Sequence, residues 1–199
     1  MIRILIREWF GGVSLMKRPS PYSIVTSPEI IPLSVGWNEF QDLKYGFWLD
    51  SLSNINKFIE KIDLSSYDTS HIVDMSVMFH NCNYDIDLSK FDTRNVTSMC
   101  SMFLLSSTLV ELDLSSFDTS KVEYVQYMFG GCSSLVRLDL SNFDASSFQY
   151  YENMFIDCGK LNYIKCRKEF KEWCLSHQDE ICLPRCLCEG GNGVWEIVD

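Results

Sequence analysis

Apolar positions along this chain follow two alternating rhythms. Leu112-Asp113-Leu114 alternates with the period of two expected of a half-buried strand, and Leu138-Asp139-Leu140 repeats it. With Leu109 three residues before and Phe117 three after, the spacing becomes L-x-x-L-x-L-x-x-apolar, a leucine-rich pattern shared by Leu135, Leu138, Leu140 and Phe143. Beyond the strand the rhythm changes. Val122, Val125, Met128 and Phe129 fall at i, i+3, i+6 and i+7, which predicts one or two helical turns. Between the two, Asp118-Thr119-Ser120 supplies side-chain oxygens that cap a helix or close a turn.

The pattern recurs. Equivalent strands start at Ile62, Ile86, Leu112 and Leu138, in steps of 24, 26 and 26 residues, and a further 26 leads to Ile164. Each unit runs into a Met-Phe pair, at Met78-Phe79, Met102-Phe103, Met128-Phe129 and Met154-Phe155. Self-similarity at this period predicts stacked units, each too small to bury both of its apolar faces alone. The expected architecture is an α/β repeat: a short leucine-rich-repeat-type solenoid, with parallel strands on one side, short helices on the other, and caps at both ends. The units are 62–85, 86–111, 112–137 and 138–163. Residues 1–36 read as an irregular lead broken by prolines, and 37–61 as an N-terminal cap. A cysteine-rich C-terminal cap spans 164–199. There Ile164-Lys165-Cys166 continues the strand pattern, and Glu169 to Leu175 predicts a helix laying Phe170, Trp173 and Cys174 on the core. Val194 to Val198 reads as an alternating strand after a glycine-rich turn.

The runs IDLSSYDTS, IDLSKFDTRNVTSMCSMF, LDLSSFDTSKVEYVQYMFGGC and LDLSNFDASSF closely resemble the BspA-like leucine-rich repeats of bacterial and protozoan surface proteins. The resemblance covers roughly residues 58–166. It implies an extracellular, adhesive or unassigned role, with no catalytic residues to carry over. The segment from Ile164 onward looks like the end-cap such arrays carry.

Charge and composition narrow the picture. Seventeen basic against 27 acidic residues give a net charge of −10, which argues against nucleic acid as partner, because phosphate neutralisation needs a basic footprint. No apolar run approaches the 18 residues of a membrane span. The only candidate for an export signal, near the start, is interrupted by Glu8, and Met16-Lys17-Arg18 offers an alternative beginning. The expected location is thus the cell surface or exterior by resemblance, with a cytoplasmic or virion-associated scaffold as the alternative. No phosphate loop, dinucleotide fingerprint or hydrolase elbow occurs, so no enzyme activity and no cofactor are expected.

Two constellations are candidate sites. Asp63, Asp87, Asp113 and Asp139 share one strand position, so parallel stacking aligns them in an outward column about 4.8 Å apart. Carboxylates that close invite a cation, a basic partner or raised pKa values. Equally, each satisfies a local hydrogen bond to Ser65, Ser89, Ser115 or Ser141, with Lys165 ending the column. The partner expected on this face is a protein or a glycan. The second constellation is Cys182, Cys186 and Cys188 with His177, residue types that tetrahedral zinc accepts. Their spacing is not that of a paired C-x2-C knuckle, and free or disulfide-bonded thiols account for them as well. Cys82, Cys132 and Cys158, with Ser106 in the remaining unit, share another position and read as buried filler. Asn95-Val96-Thr97 is formally a glycosylation acceptor, though it also follows the repeat's own consensus.

Overall fold

The computed structural model describes residues 61–62, 68–82 and 85–199. The N-terminal lead, most of the N-terminal cap and Asp63 lie outside the described residues. Strands form where the period of two predicts them. Strand β1 (Lys61–Ile62) pairs in parallel with β2 (Asp85–Ile86). A four-stranded parallel sheet runs β3 (Glu111–Asp113), β4 (Arg137–Leu140), β5 (Tyr163–Arg167) and β6 (Val194–Val198), in that spatial order. Its register is in phase with the repeat. Leu112 faces Leu138, which faces Ile164, which faces Trp195, and Leu140 faces Cys166, which faces Ile197. The leucines and Ile164 of these columns are buried, while the intervening residues point outward.

The predicted helices within the repeats do not form. Among the described residues the single helix is α1 (Lys168–Ser176), directly after β5, where it buries Phe170 and Cys174 as expected and leaves Trp173 partly covered. The segments read as helical turns are chains of three-residue turns tied sideways to the next unit. Alternate amides reach across: Val125 to the Tyr150 carbonyl at 2.8 Å, Phe129 to Met154 at 3.0 Å, and Gly131 to Ile156 at 2.8 Å. The amides between them close local turns, Met128 to Val125 at 3.1 Å and Cys132 to Phe129 at 3.1 Å. The unit before is built the same way, with Met99 to Tyr124, Ser101 to Gln126 and Phe103 to Met128. Isolated parallel bridges link Asp74, Ser98, Tyr124 and Tyr150 along this second side. A helix would satisfy these amides inside one unit and leave nothing to hold the neighbour.

Between the two ladders lies the core. Phe79, Phe103, Phe129 and Phe155 stack in a row with centroids 5.4, 5.8 and 5.5 Å apart. The methionines before them are equally buried. Each such phenylalanine contributes on the order of 2 kcal/mol by leaving water. A polar spine runs beside the aromatic one. The hydroxyls of Thr69, Thr93 and Thr119 donate to the carbonyls of Asp92, Asp118 and Asp144, each at 3.0 Å, and accept the amides of the same residues. At the end of the row Ala145 stands where threonine would, and the next segment is α1 instead of another turn of this kind.

Candidate functional site

The outward residues of β3 to β6 make a charged face. Asp113 stands opposite Asp139, Asp139 opposite Lys165, and Lys165 opposite Glu196, while Glu111 stands opposite Arg137 and Arg137 opposite Tyr163. Together they line a shallow depression of about 390 Å³. The geometry satisfies the carboxylates locally, as the simpler reading of the column has it. Asp87, Asp113 and Asp139 each accept the amide of the serine two residues on, Ser89, Ser115 and Ser141, at 3.0, 2.9 and 3.0 Å. These are Asx turns that bend the chain off the end of each strand.

Mutual repulsion does not dominate at Asp139. Burial works against its charge, but hydrogen bonds from Ser141 and Lys165 outweigh burial and hold the carboxyl below its ordinary value. That reverses the expectation of a raised pKa there. The Lys165 ammonium sits 3.0 Å from Asp139 and is held above its own usual value chiefly by that hydrogen bond. Nor does the column end at Lys165, since β6 continues it with Glu196, which accepts the Tyr163 hydroxyl. The Arg137 guanidinium lies 3.8 Å above the Tyr163 ring and 3.9 Å from Glu111. The face therefore carries two committed cations and an excess of carboxylates, Glu111 and Asp113 lying toward one end.

The turn column behaves as local closure. Asp68, Asp92, Asp118 and Asp144 each accept an amide two residues ahead, and hydrogen bonds from Ser70, Arg94 and Ser120 hold the first three below the usual carboxylate range.

The tail thiols point to separate acceptors. Cys182 approaches the Asn153 side-chain oxygen at 3.3 Å, Cys186 the Leu161 carbonyl at 3.2 Å, and Cys188 the Leu183 carbonyl at 3.5 Å. His177 Nδ1 lies 2.9 Å from the Trp173 carbonyl, its ring packed on Trp173 and Tyr151. Among the described residues no group of three or more His, Cys, Asp or Glu is placed to hold a metal ion. Cys132 and Cys158 are filler with a hydrogen bond, donating to the carbonyls of Phe103 and Phe129 at 3.2 and 2.9 Å. Ser106 does the same to Phe79 at 2.8 Å. The Asn95 amide donates to the Ser70 carbonyl at 2.9 Å, so this motif too takes part in unit-to-unit bonding.

Two features escaped the sequence pattern. One is the threonine spine, whose signal was the recurrence of Thr at one position with Ala in the last unit. The other is a pair of exposed tyrosines, Tyr124 and Tyr150, stacked at 4.7 Å on the second ladder. Among the described residues no helix is long and apolar enough to cross a membrane. A family model described as "Mycoplasma protein of unknown function, DUF285" matches residues 49–168. No curated protein and no solved structure matches the chain.

Proposed function

We propose, from the premise that the chain belongs to the DUF285 family of Mycoplasma proteins, that it is a non-catalytic interaction module. In this reading it is an adhesin-like surface protein, akin to the BspA-like repeat proteins, built as a short leucine-rich-repeat solenoid. It offers the charged face of β3 to β6 to a protein or glycan partner. The observation that carries the reading is the depression lined by Glu111, Asp113, Arg137, Asp139, Tyr163, Lys165 and Glu196. The excess of carboxylates favours a basic partner.

The test is binding of the full chain to an array of basic peptides and glycans, repeated with Asp113→Lys and Glu111→Lys. A hit weakened about tenfold or more by either reversal, with an unchanged circular dichroism spectrum, supports the face. Undiminished binding sinks it. Protease shaving of intact producer cells decides the location separately. Peptides from residues 86–160 appear before lysis if the module is outside.

A second reading is a scaffold in a reducing compartment. It is favoured by the burial of Cys132, Cys158, Cys166 and Cys174, which pack in the core as small apolar groups. Defined disulfides in native material would count against it.

A further inference from the structure

The four-stranded sheet ends at β6, whose outer edge pairs with no other strand among the described residues. The Val194 amide donates inward, to the Asn162 carbonyl at 2.8 Å. In a parallel ladder alternate residues bond to the same side, so Val194, Glu196 and Val198 serve β5, while the amides and carbonyls of Trp195 and Ile197 point away from it. Among the described residues nothing bonds to these four backbone positions of the five-residue strand. The core columns also reach this edge. Ile197 continues the inward column of Leu140 and Cys166, yet it is 45% exposed, where the two before it are fully buried.

Charge says what would complete the row. Glu111 meets Arg137 across one strand pair, and Asp139 meets Lys165 across the next. Glu196 follows Lys165 in register, but Lys165 is committed to Asp139, and Glu196 makes no ion pair among the described residues. The next strand in this series would set a cation beside Glu196, with apolar residues on either side of it to cover Trp195 and Ile197.

We infer that β6 is a docking edge for an extended polypeptide segment of the pattern apolar–basic–apolar, which adds to the sheet as a further strand. The edge shares Glu196 with the strand face proposed above, but its backbone row at Trp195 and Ile197 lies outside that face, so Ile197→Pro tests the edge and Asp113→Lys tests the face.

The probe is a labelled peptide of alternating valine and threonine around one central lysine, titrated into the full chain by fluorescence anisotropy. A matching peptide with glutamate at the centre is the control. The lysine peptide binds saturably, about fivefold more tightly than the glutamate one, as a cross-strand charge pair is expected to discriminate. Ile197→Pro removes an outward donor that β5 does not use, and weakens binding about tenfold. Because proline can disturb β6 itself, Glu196→Lys gives an independent reading, since it inverts the preference toward the glutamate peptide. A lysine peptide that loses affinity in Asp113→Lys sits on the face instead, which overturns the proposal. No saturable binding, or binding that Glu196→Lys leaves with its original charge preference, overturns the proposal. A dimer that forms without any peptide binding and disappears in Ile197→Pro would also overturn it, assigning the edge to a second copy of the chain.

Discussion

Thr119 has no exposed surface, yet its hydroxyl gives a hydrogen bond to the Asp144 carbonyl at 3.0 Å and takes one from the Asp144 amide at 2.8 Å. Thr119→Val keeps the shape and orphans both backbone groups, so it should cost about 2 kcal/mol in urea unfolding. Thr119→Ser should recover most of that loss, and a valine variant as stable as the parent would show the spine to be incidental. The residue type was visible in the sequence and its task was not. Asp-Thr-Ser reads locally as a cap or turn, and indeed the Asp118 side chain closes the turn by accepting the Ser120 amide. The threonine between them bonds to a residue 25 positions away, which no local rule anticipates. The strand aspartates show the converse. Their bonds to the serine two residues on are local, and spacing alone was enough to expect them.

Among the elements, the strands and the capping helix follow their patterns, while the segments after each strand do not become helices. Steps of three and one fit one face of a helix, but they fit a run of three-residue turns equally well. The discriminating detail is that Val122, Val125 and Met128 keep strict steps of three, with the polar Gln126 where a helix face would place its i+4 partner. This path requires left-handed backbone at two positions per unit. Leu105, Gly131 and Asp157 occupy one of them with φ of 61°, 70° and 59°, and Ser101, Tyr127 and Asn153 the other. Non-glycine residues bear a cost of about 1–2 kcal/mol there, offset by the amides that bridge to the next unit. Gly131 avoids it, and an added Cβ would lie 2.7 Å from the Leu105 side chain. Gly131→Ala should therefore lower stability by about 1–2 kcal/mol, read as a shift of the denaturation midpoint with an unchanged slope. A neutral result would mean that the turn ribbon yields easily.

At the scale of the whole molecule, packing removes Cys82, Cys132, Cys158, Cys166 and Cys174 from water. Burial pushes the Cys158 thiol up from 9.0 to about 12. Below pH 9 the folded and unfolded chains both hold this proton, and its contribution is full. Between 9 and 12 the unfolded chain releases a proton that the folded one keeps, so stability falls as pH rises, by about 1.4 kcal/mol per unit for this thiol. Melting temperatures from pH 8 to 11 should show the decline, and Cys158→Ser, which places there the residue type of Ser106, should make it shallower by that one thiol's share, because burial also raises Cys132, Cys166 and Cys174. An identical slope in the variant would refute the assignment to Cys158. The period, the strand positions, the Met-Phe core and the C-terminal helix and strand are legible in the order of the residues alone. Each of these follows from which side chains must leave water, and that is written along the chain. Tertiary structure alone decided between helix and turn ribbon, set Lys165 on Asp139, and left Glu196 at an open edge. Those outcomes depend on hydrogen-bond and charge partners one unit or more away, and a backbone amide takes a distant acceptor only once a stacked neighbour has brought it within reach.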